Sequence, residues 1–155
     1  MIFIRSIQGE LKRLHASTRG RLVAITGARQ SGKSTLAAAA FPDYERLSFD
    51  SPVERAGYEA LTPAALIEQF PRAILDEIQK LPPLIETVKA AYDRNRRVRY
   101  VLLGSSQLML MQRIRESLAG RVAILELFPF TLPELVLEDE TTSPASSRIM
   151  RLMEG

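Results

Sequence analysis

Gly27-Ala28-Arg29-Gln30-Ser31-Gly32-Lys33-Ser34 satisfies the pattern G-x-x-x-x-G-K-[ST] at every fixed position. Average residue usage would produce such a match by accident in about one chain of this length in two hundred. Each fixed position answers a physical need. The glycines let the backbone turn tightly, so that successive N–H groups face one anion-binding cavity formed by Gly27 to Thr35. Lys33 then reaches the β- and γ-phosphates of a nucleotide as a point charge, and the Ser34 hydroxyl is placed to ligate Mg²⁺. Lys33-Ser34-Thr35-Leu36 opens a helix whose positive end faces the phosphates.

The flanks agree with this reading. Leu22-Val23-Ala24-Ile25-Thr26 is a short apolar, β-branched run that reads as a buried strand, and Leu36 to Ala40 are strong helix formers. Upstream, Ile4, Ile7, Leu11 and Leu14 recur at helical spacing. Downstream, Phe41-Pro42-Asp43 stops the helix, and Arg46 to Phe49 is a second strand ended by Asp50-Ser51-Pro52. Thr62-Pro63 is an N-cap followed by proline at the first helical position. Arg72 to Leu75 is a third strand, and a helix begins at Pro82-Pro83. Arg99 to Leu103 is a fourth strand, closed by Gly104-Ser105-Ser106. A helix over 107–118 and a fifth strand over 122–127 complete the pattern. Strands alternating with helices predict a parallel sheet covered on both faces, an α/β three-layer sandwich.

Composition narrows the chemistry. The 155 residues suffice for one domain with a real core, and 46% hydrophobic with 25% charged residues is an ordinary globular balance. A net charge of +3 is mildly basic and does not by itself indicate nucleic acid, although Arg94, Arg96, Arg97 and Arg99 form a dense cluster that could touch phosphates. The better reading of that cluster is a helix C-terminus and solvated loop. Cysteine is absent, which excludes thiolate catalysis and Cys-based zinc sites. His15 is the only histidine and is expected at the surface. No apolar run approaches the roughly 18 residues that span a bilayer, and Met1 to Ile4 is too short for a secretory core, so the cytoplasm is the expected compartment.

Ala73-Ile74-Leu75-Asp76-Glu77 has the form of a Walker B element, an apolar strand ending in adjacent acids. Asp76 would hold Mg²⁺ through its water shell beside Ser34, and Glu77 would accept from the water that attacks the γ-phosphate. Ser105, after the fourth strand, is placed to contact that phosphate or water, or merely to cap the next helix. Phosphoryl transfer also draws on positive charge beyond Lys33, commonly an arginine finger from a neighbouring subunit or domain. Arg113, Arg115 and Arg121 lie in the right region. Arg121 is preferred because it follows the Ala119-Gly120 break, whereas Arg113 and Arg115 suit a solvated helix face.

Taken together, the Gly27–Ser34 loop, Ile74-Leu75-Asp76-Glu77-Ile78-Gln79, Leu103-Gly104-Ser105-Ser106, Ser117-Leu118-Ala119-Gly120-Arg121 and Glu126-Leu127-Phe128-Pro129-Phe130 resemble a bacterial and archaeal group of AAA-type ATPases. In that group a C-terminal domain of unknown function usually follows the ATPase domain. The resemblance implies an AAA-like core of five parallel strands in which the strand bearing Ser105 lies between the P-loop and Walker B strands. It also implies ATP binding and hydrolysis at Lys33, Ser34, Asp76 and Glu77. On this reading residues 1–135 form the ATPase domain, and 136–155, rich in Ser, Thr and Pro, form a linker or tail toward a further domain. That domain, a second copy or another protein is the expected partner.

The expected function is Mg²⁺-dependent ATP hydrolysis coupled to a conformational change. A nucleotide-loaded switch with negligible turnover and a small-molecule P-loop kinase are the alternatives. A GTPase is disfavoured, because Asp76 is followed by Glu77-Ile78-Gln79 rather than D-x-x-G and no N-K-x-D motif is present.

Overall fold

The computed structural model describes the backbone of residues 2–105 and 108–127. Along it run α1 (Ile2–Ala16), β1 (Leu22–Gly27), α2 (Lys33–Ala40), β2 (Glu45–Ser48), α3 (Pro52–Ala56) and α4 (Pro63–Gln69). There follow β3 (Arg72–Asp76), a 3-10 turn (Ile78–Lys80), α5 (Leu84–Arg94), β4 (Arg99–Ser105), α6 (Leu108–Ser117) and β5 (Val122–Leu127). The linker or tail over 136–155, Arg121's neighbouring motif from Phe128 to Phe130, and Ser106 lie outside the described residues.

The five strands form one parallel sheet in the order β2-β3-β4-β1-β5. The strand that ends in Ser105 therefore lies between the strand that feeds the Gly27–Ser34 loop and the strand that ends in Asp76, as the resemblance implies.

Alternation along the central strands divides the core into two layers. On β1, Leu22 and Ala24 face one side with Leu75, Leu102 and the buried stripe of α5 (Ile85, Val88). Val23 and Ile25 face the other side with Leu11 of α1, Leu36 and Ala37 of α2, and Ile74, Val101 and Leu103. Both faces of every central strand are dry, which is why these strands read as continuous apolar runs. Burying one such leucine is worth roughly 1.5–3 kcal/mol.

The local signals act as their chemistry requires. Thr62 Oγ1 accepts from Ala65 N at 3.2 Å, and Pro63 opens α4. Asp50-Ser51-Pro52 does end β2, but Pro52 then opens α3, a five-residue helix with no buried side chain and hence no periodicity to read.

His15 corrects its expected surface position. It is only 2% exposed, it packs against the rings of Phe41 and Tyr44 at 4.8 and 5.6 Å, and its Nδ1 lies 2.7 Å from the Gly20 carbonyl oxygen. The basic cluster is partly structural. Arg99 donates to the carbonyls of His15, Ala16 and Ser17 at the end of α1, while Arg94, Arg96 and Arg97 are exposed. Arg21 caps α5 in the same way, donating to the Asn95 carbonyl at 3.0 Å with its guanidinium 3.8 Å over the Tyr92 ring.

Candidate active site

The C-terminal ends of β1, β3 and β4 meet on the α2 side of the sheet, and alternation decides which side chains arrive there. Asp76 falls on the same face as Ile74, and Ser105 on the same face as Val101 and Leu103, all of which pack against α2. Ser105 is paired in register with Gly27, one strand spacing of about 4.8 Å away.

Gly27 holds the entry to the loop. Its φ is 153°, and a Cβ there would stand 2.2 Å from the carbonyl oxygen of Leu127 on β5. Gly32, with φ 83°, supplies the left-handed residue that turns the chain into α2. No side chain caps α2, so the first N–H groups of the helix, at Lys33, Ser34 and Thr35, have no intrahelical acceptor and remain available to an anion. Ala28, Arg29 and Gln30 are exposed at the rim of the loop, with Gln30 at φ 62°, and Thr35 is exposed on the first turn of the helix.

Lys33 is only 7% exposed, and its charge is satisfied within the loop. Its Nζ donates to the carbonyls of Gly27 at 3.0 Å and Ala28 at 2.6 Å, and lies 3.4 Å from Ser31 Oγ. The ammonium is thus held under the cavity by the same carbonyls that shape it.

Ser34 Oγ donates to Asp76 Oδ2 at 2.9 Å, joining the two proposed metal ligands across 42 residues of sequence. Two hard oxygen donors side by side fit a Mg²⁺ ion, which Ser34 would ligate and Asp76 would hold through its water shell. Among the described residues no group of three or more His, Cys, Asp or Glu could hold a metal by itself. That donor set suits an ion carried in with phosphate, as Mg²⁺ usually is, rather than a protein cage.

Arg46, read in the sequence only as part of a strand, joins this cluster. From β2 its Nη2 reaches Asp76 Oδ2 at 2.6 Å, so the carboxylate, 5% exposed, is shared between a hydroxyl and a guanidinium. Only the order of the strands, with β2 beside β3, could have signalled it.

Glu77 leaves β3 in a left-handed conformation, φ 59° and ψ 39°, and the Gln79 amide nitrogen donates to its Oε2. The Ser105 hydroxyl is buried and has no hydrogen-bond partner among the described residues. A buried hydroxyl without a partner costs roughly 1–3 kcal/mol, so the site retains an unfulfilled polar group facing α2.

Arg121 is not brought to this cluster. It precedes Val122, which pairs with Leu22 at the start of β1, five residues before Gly27. Arg121 is thus six residues from the level of Gly27, roughly 20 Å at about 3.3 Å per residue, at the opposite end of the sheet. There Nε and Nη2 grip the two oxygens of Asp93 at 2.8 and 3.1 Å, holding that carboxyl below its usual range. Arg113 and Arg115 are exposed on α6, which fits a solvated face.

Fold and site together define an AAA-type P-loop ATPase domain. The model of an AAA domain family matches residues 19–136, and the chain belongs to that family. Two uncharacterized proteins, one from Mycobacterium bovis and one from Mycobacterium tuberculosis, are each 30% identical to it over 119 residues. The match covers 76% of this chain and 27% of each relative, so the chain spans about a quarter of the length of these curated relatives. Among solved structures, a Walker-type ATPase of Pyrococcus abyssi is similar with a TM-score of 0.58 and 17% identity, covering 82% of this chain and 55% of that one. The RIF2 protein of Saccharomyces cerevisiae is similar with a TM-score of 0.50 and 12% identity, over 94% of this chain and 65% of that one. At such identities these structures speak for the fold alone.

Proposed function

We propose that the chain binds ATP with Mg²⁺ and hydrolyses it, and that hydrolysis drives a conformational change in an attached domain or a partner. The observation that carries this reading is the meeting of Lys33, Ser34, Asp76, Glu77 and Ser105 at one end of the sheet. The loop amides and Lys33 bind the phosphates, Ser34 and Asp76 hold Mg²⁺, Glu77 accepts from the attacking water, and Ser105 contacts the γ-phosphate or that water. Mg²⁺, when bound, neutralises charge that develops on the phosphate oxygens. Arg121 belongs to the proposal as a finger acting on the site of a neighbouring subunit or domain, since its place in the fold keeps it from its own. The cytoplasm is the proposed compartment; among the described residues no helix is long and apolar enough to cross a membrane.

A switch that binds ATP with little turnover is the second reading. The separation of Arg121 from the site in its own chain favours it for the isolated domain.

Binding and chemistry are tested separately. Mg-ATP should raise the melting temperature, with about 2.7 kcal/mol of stabilisation at a hundred times the dissociation constant, and Lys33→Ala should remove most of that gain. Glu77→Gln should bind ATP as wild type does and lose roughly 10²–10⁴-fold in turnover. No melting shift with ATP, ADP or a non-hydrolysable analogue would refute the nucleotide site. Undiminished phosphate release from Glu77→Gln would remove that residue from the chemistry.

A further inference from the structure

We propose that Gln79 is a positioning residue that orients the Glu77 carboxylate for the hydrolytic step. The inference rests on the reading of Glu77 as the group that accepts from the attacking water.

Backbone geometry isolates the pair. Asp76 is the last residue of β3, and Glu77 at once enters the left-handed region, which costs a residue with a Cβ roughly 1–2 kcal/mol. The 3-10 turn that follows fixes this departure. Lys80 N donates to the Glu77 carbonyl at 2.9 Å, Ile78 is fully buried in the core, and the Lys80 ammonium is tied to Asp50. The turn delivers the Gln79 side chain back to the acid two residues before it, where Nε2 donates to Glu77 Oε2.

The chemistry of the amide settles which of its atoms faces which way. An ionised carboxylate can only accept, so the amide must present its nitrogen to Glu77. Its Oε1 is then the remaining polar atom, and it is buried with no hydrogen-bond partner among the described residues. A group kept only to fill space would do better without that oxygen, because leaving an acceptor unsatisfied costs roughly 1–3 kcal/mol. Leucine would occupy a similar volume at no such cost. The arrangement makes sense when the donor matters: a carboxylate on a flexible stem, half-buried beside the loop, is held in one rotamer by a neighbour anchored on a rigid turn. Asp76 is fixed differently, by Ser34 and Arg46. The adjacent acids thus have separate supports.

The test is a double-mutant cycle in the full chain, read by single-turnover phosphate release and by the ATP-induced melting shift. Gln79→Leu should keep the fold and the ATP-induced shift, and lower the single-turnover rate by about 10- to 100-fold, the range expected when a reacting group is misplaced by about 1 Å. Gln79→Glu, similar in size but lacking the donor, should lose at least as much. In a Glu77→Gln background, Gln79→Leu should cause no further loss, because the group it orients is gone. Equal losses in both backgrounds would overturn the proposal, as would a faster rate in Gln79→Leu, which would make the contact a restraint. A normal rate in Gln79→Leu beside a slow Glu77→Gln would reject Gln79 and leave Glu77 in place. A normal rate in Glu77→Gln would reject both, and so identify the acid's assigned role as the point of failure.

Discussion

His15 carries its proton at Nδ1, where the Gly20 carbonyl accepts it, and its Nε2 is buried without a partner among the described residues. A second proton would place a buried cation against the stacked Phe41 and Tyr44 rings. Burial first, and then the nearby Arg99 charge, outweigh the Gly20 hydrogen bond and lower the pKa from 6.5 to about 4. Between those values the unfolded chain takes up a proton that the folded one refuses. The contribution to stability is therefore complete above about pH 6.5, falls as the pH drops through that window, and is lost below about pH 4. The whole effect is of the order of 3 kcal/mol. Melting temperatures taken across this range should fall more steeply for wild type than for His15→Gln, which cannot titrate. Parallel profiles would show that other groups carry the acid sensitivity. None of this was legible in the sequence, where a lone histidine among Lys12, Arg13 and Arg19 reads as solvated. What buries it is the aromatic pair that follows α2, some 26 residues downstream.

At the scale of elements, the seam between β1 and β5 controls the entry to the phosphate loop. Gly27→Ala would drive a Cβ into the Leu127 carbonyl, and backbone cannot move aside as a side chain can. The strands must part where the loop begins. Gly32→Ala meets no atom within 4 Å and has only its φ of 83° to overcome. Left-handed strain alone costs about 1–2 kcal/mol, so Gly27→Ala should destabilise the fold by clearly more than Gly32→Ala, and denaturant midpoints measure the difference. Equal losses would mean that the seam yields easily. Elements whose information is local were readable: β1, β3, β4 and β5 from apolar runs, the end of β2 from Asp50-Ser51-Pro52, α4 from Thr62-Pro63, α2 from the loop itself. Elements set by tertiary contact were not. The 3-10 turn follows from the left-handed Glu77, which no propensity signals, and β4 runs on through Ser105 because β1 continues beside it to Gly27. The site divides the same way. Lys33, Ser34, Asp76 and Glu77 are candidates by motif spacing, whereas Arg46 and Gln79 join the candidate site only through strand register and turn geometry.

Across the whole molecule, a parallel sheet gives its two ends different work. The ends of β1, β3 and β4 gather the phosphate loop and the acids, while Arg121 stands at the far end, paired with Asp93 on α5. An arginine so placed can act on a γ-phosphate only in another subunit or domain. The pair would not hinder it, because an exposed ion pair is worth roughly 0–1 kcal/mol and is readily exchanged for a more highly charged anion. Two consequences follow from the roughly 20 Å between Arg121 and its own loop. In the isolated 155-residue chain, Arg121→Ala should leave a slow hydrolysis rate almost unchanged. In an assembled form, such as a longer chain of the kind its mycobacterial relatives have, the same substitution should lower turnover by about 10³–10⁵-fold, the usual contribution of an arginine finger. Asp93→Ala, which releases the guanidinium from its ion pair and leaves only its contact with the Ala119 carbonyl, should preserve the assembled rate. Turnover of both forms with each substitution tests the assignment. No loss in the assembled form removes Arg121 from the reaction, and an equal loss in both forms would mean that it acts through the stability of its own fold.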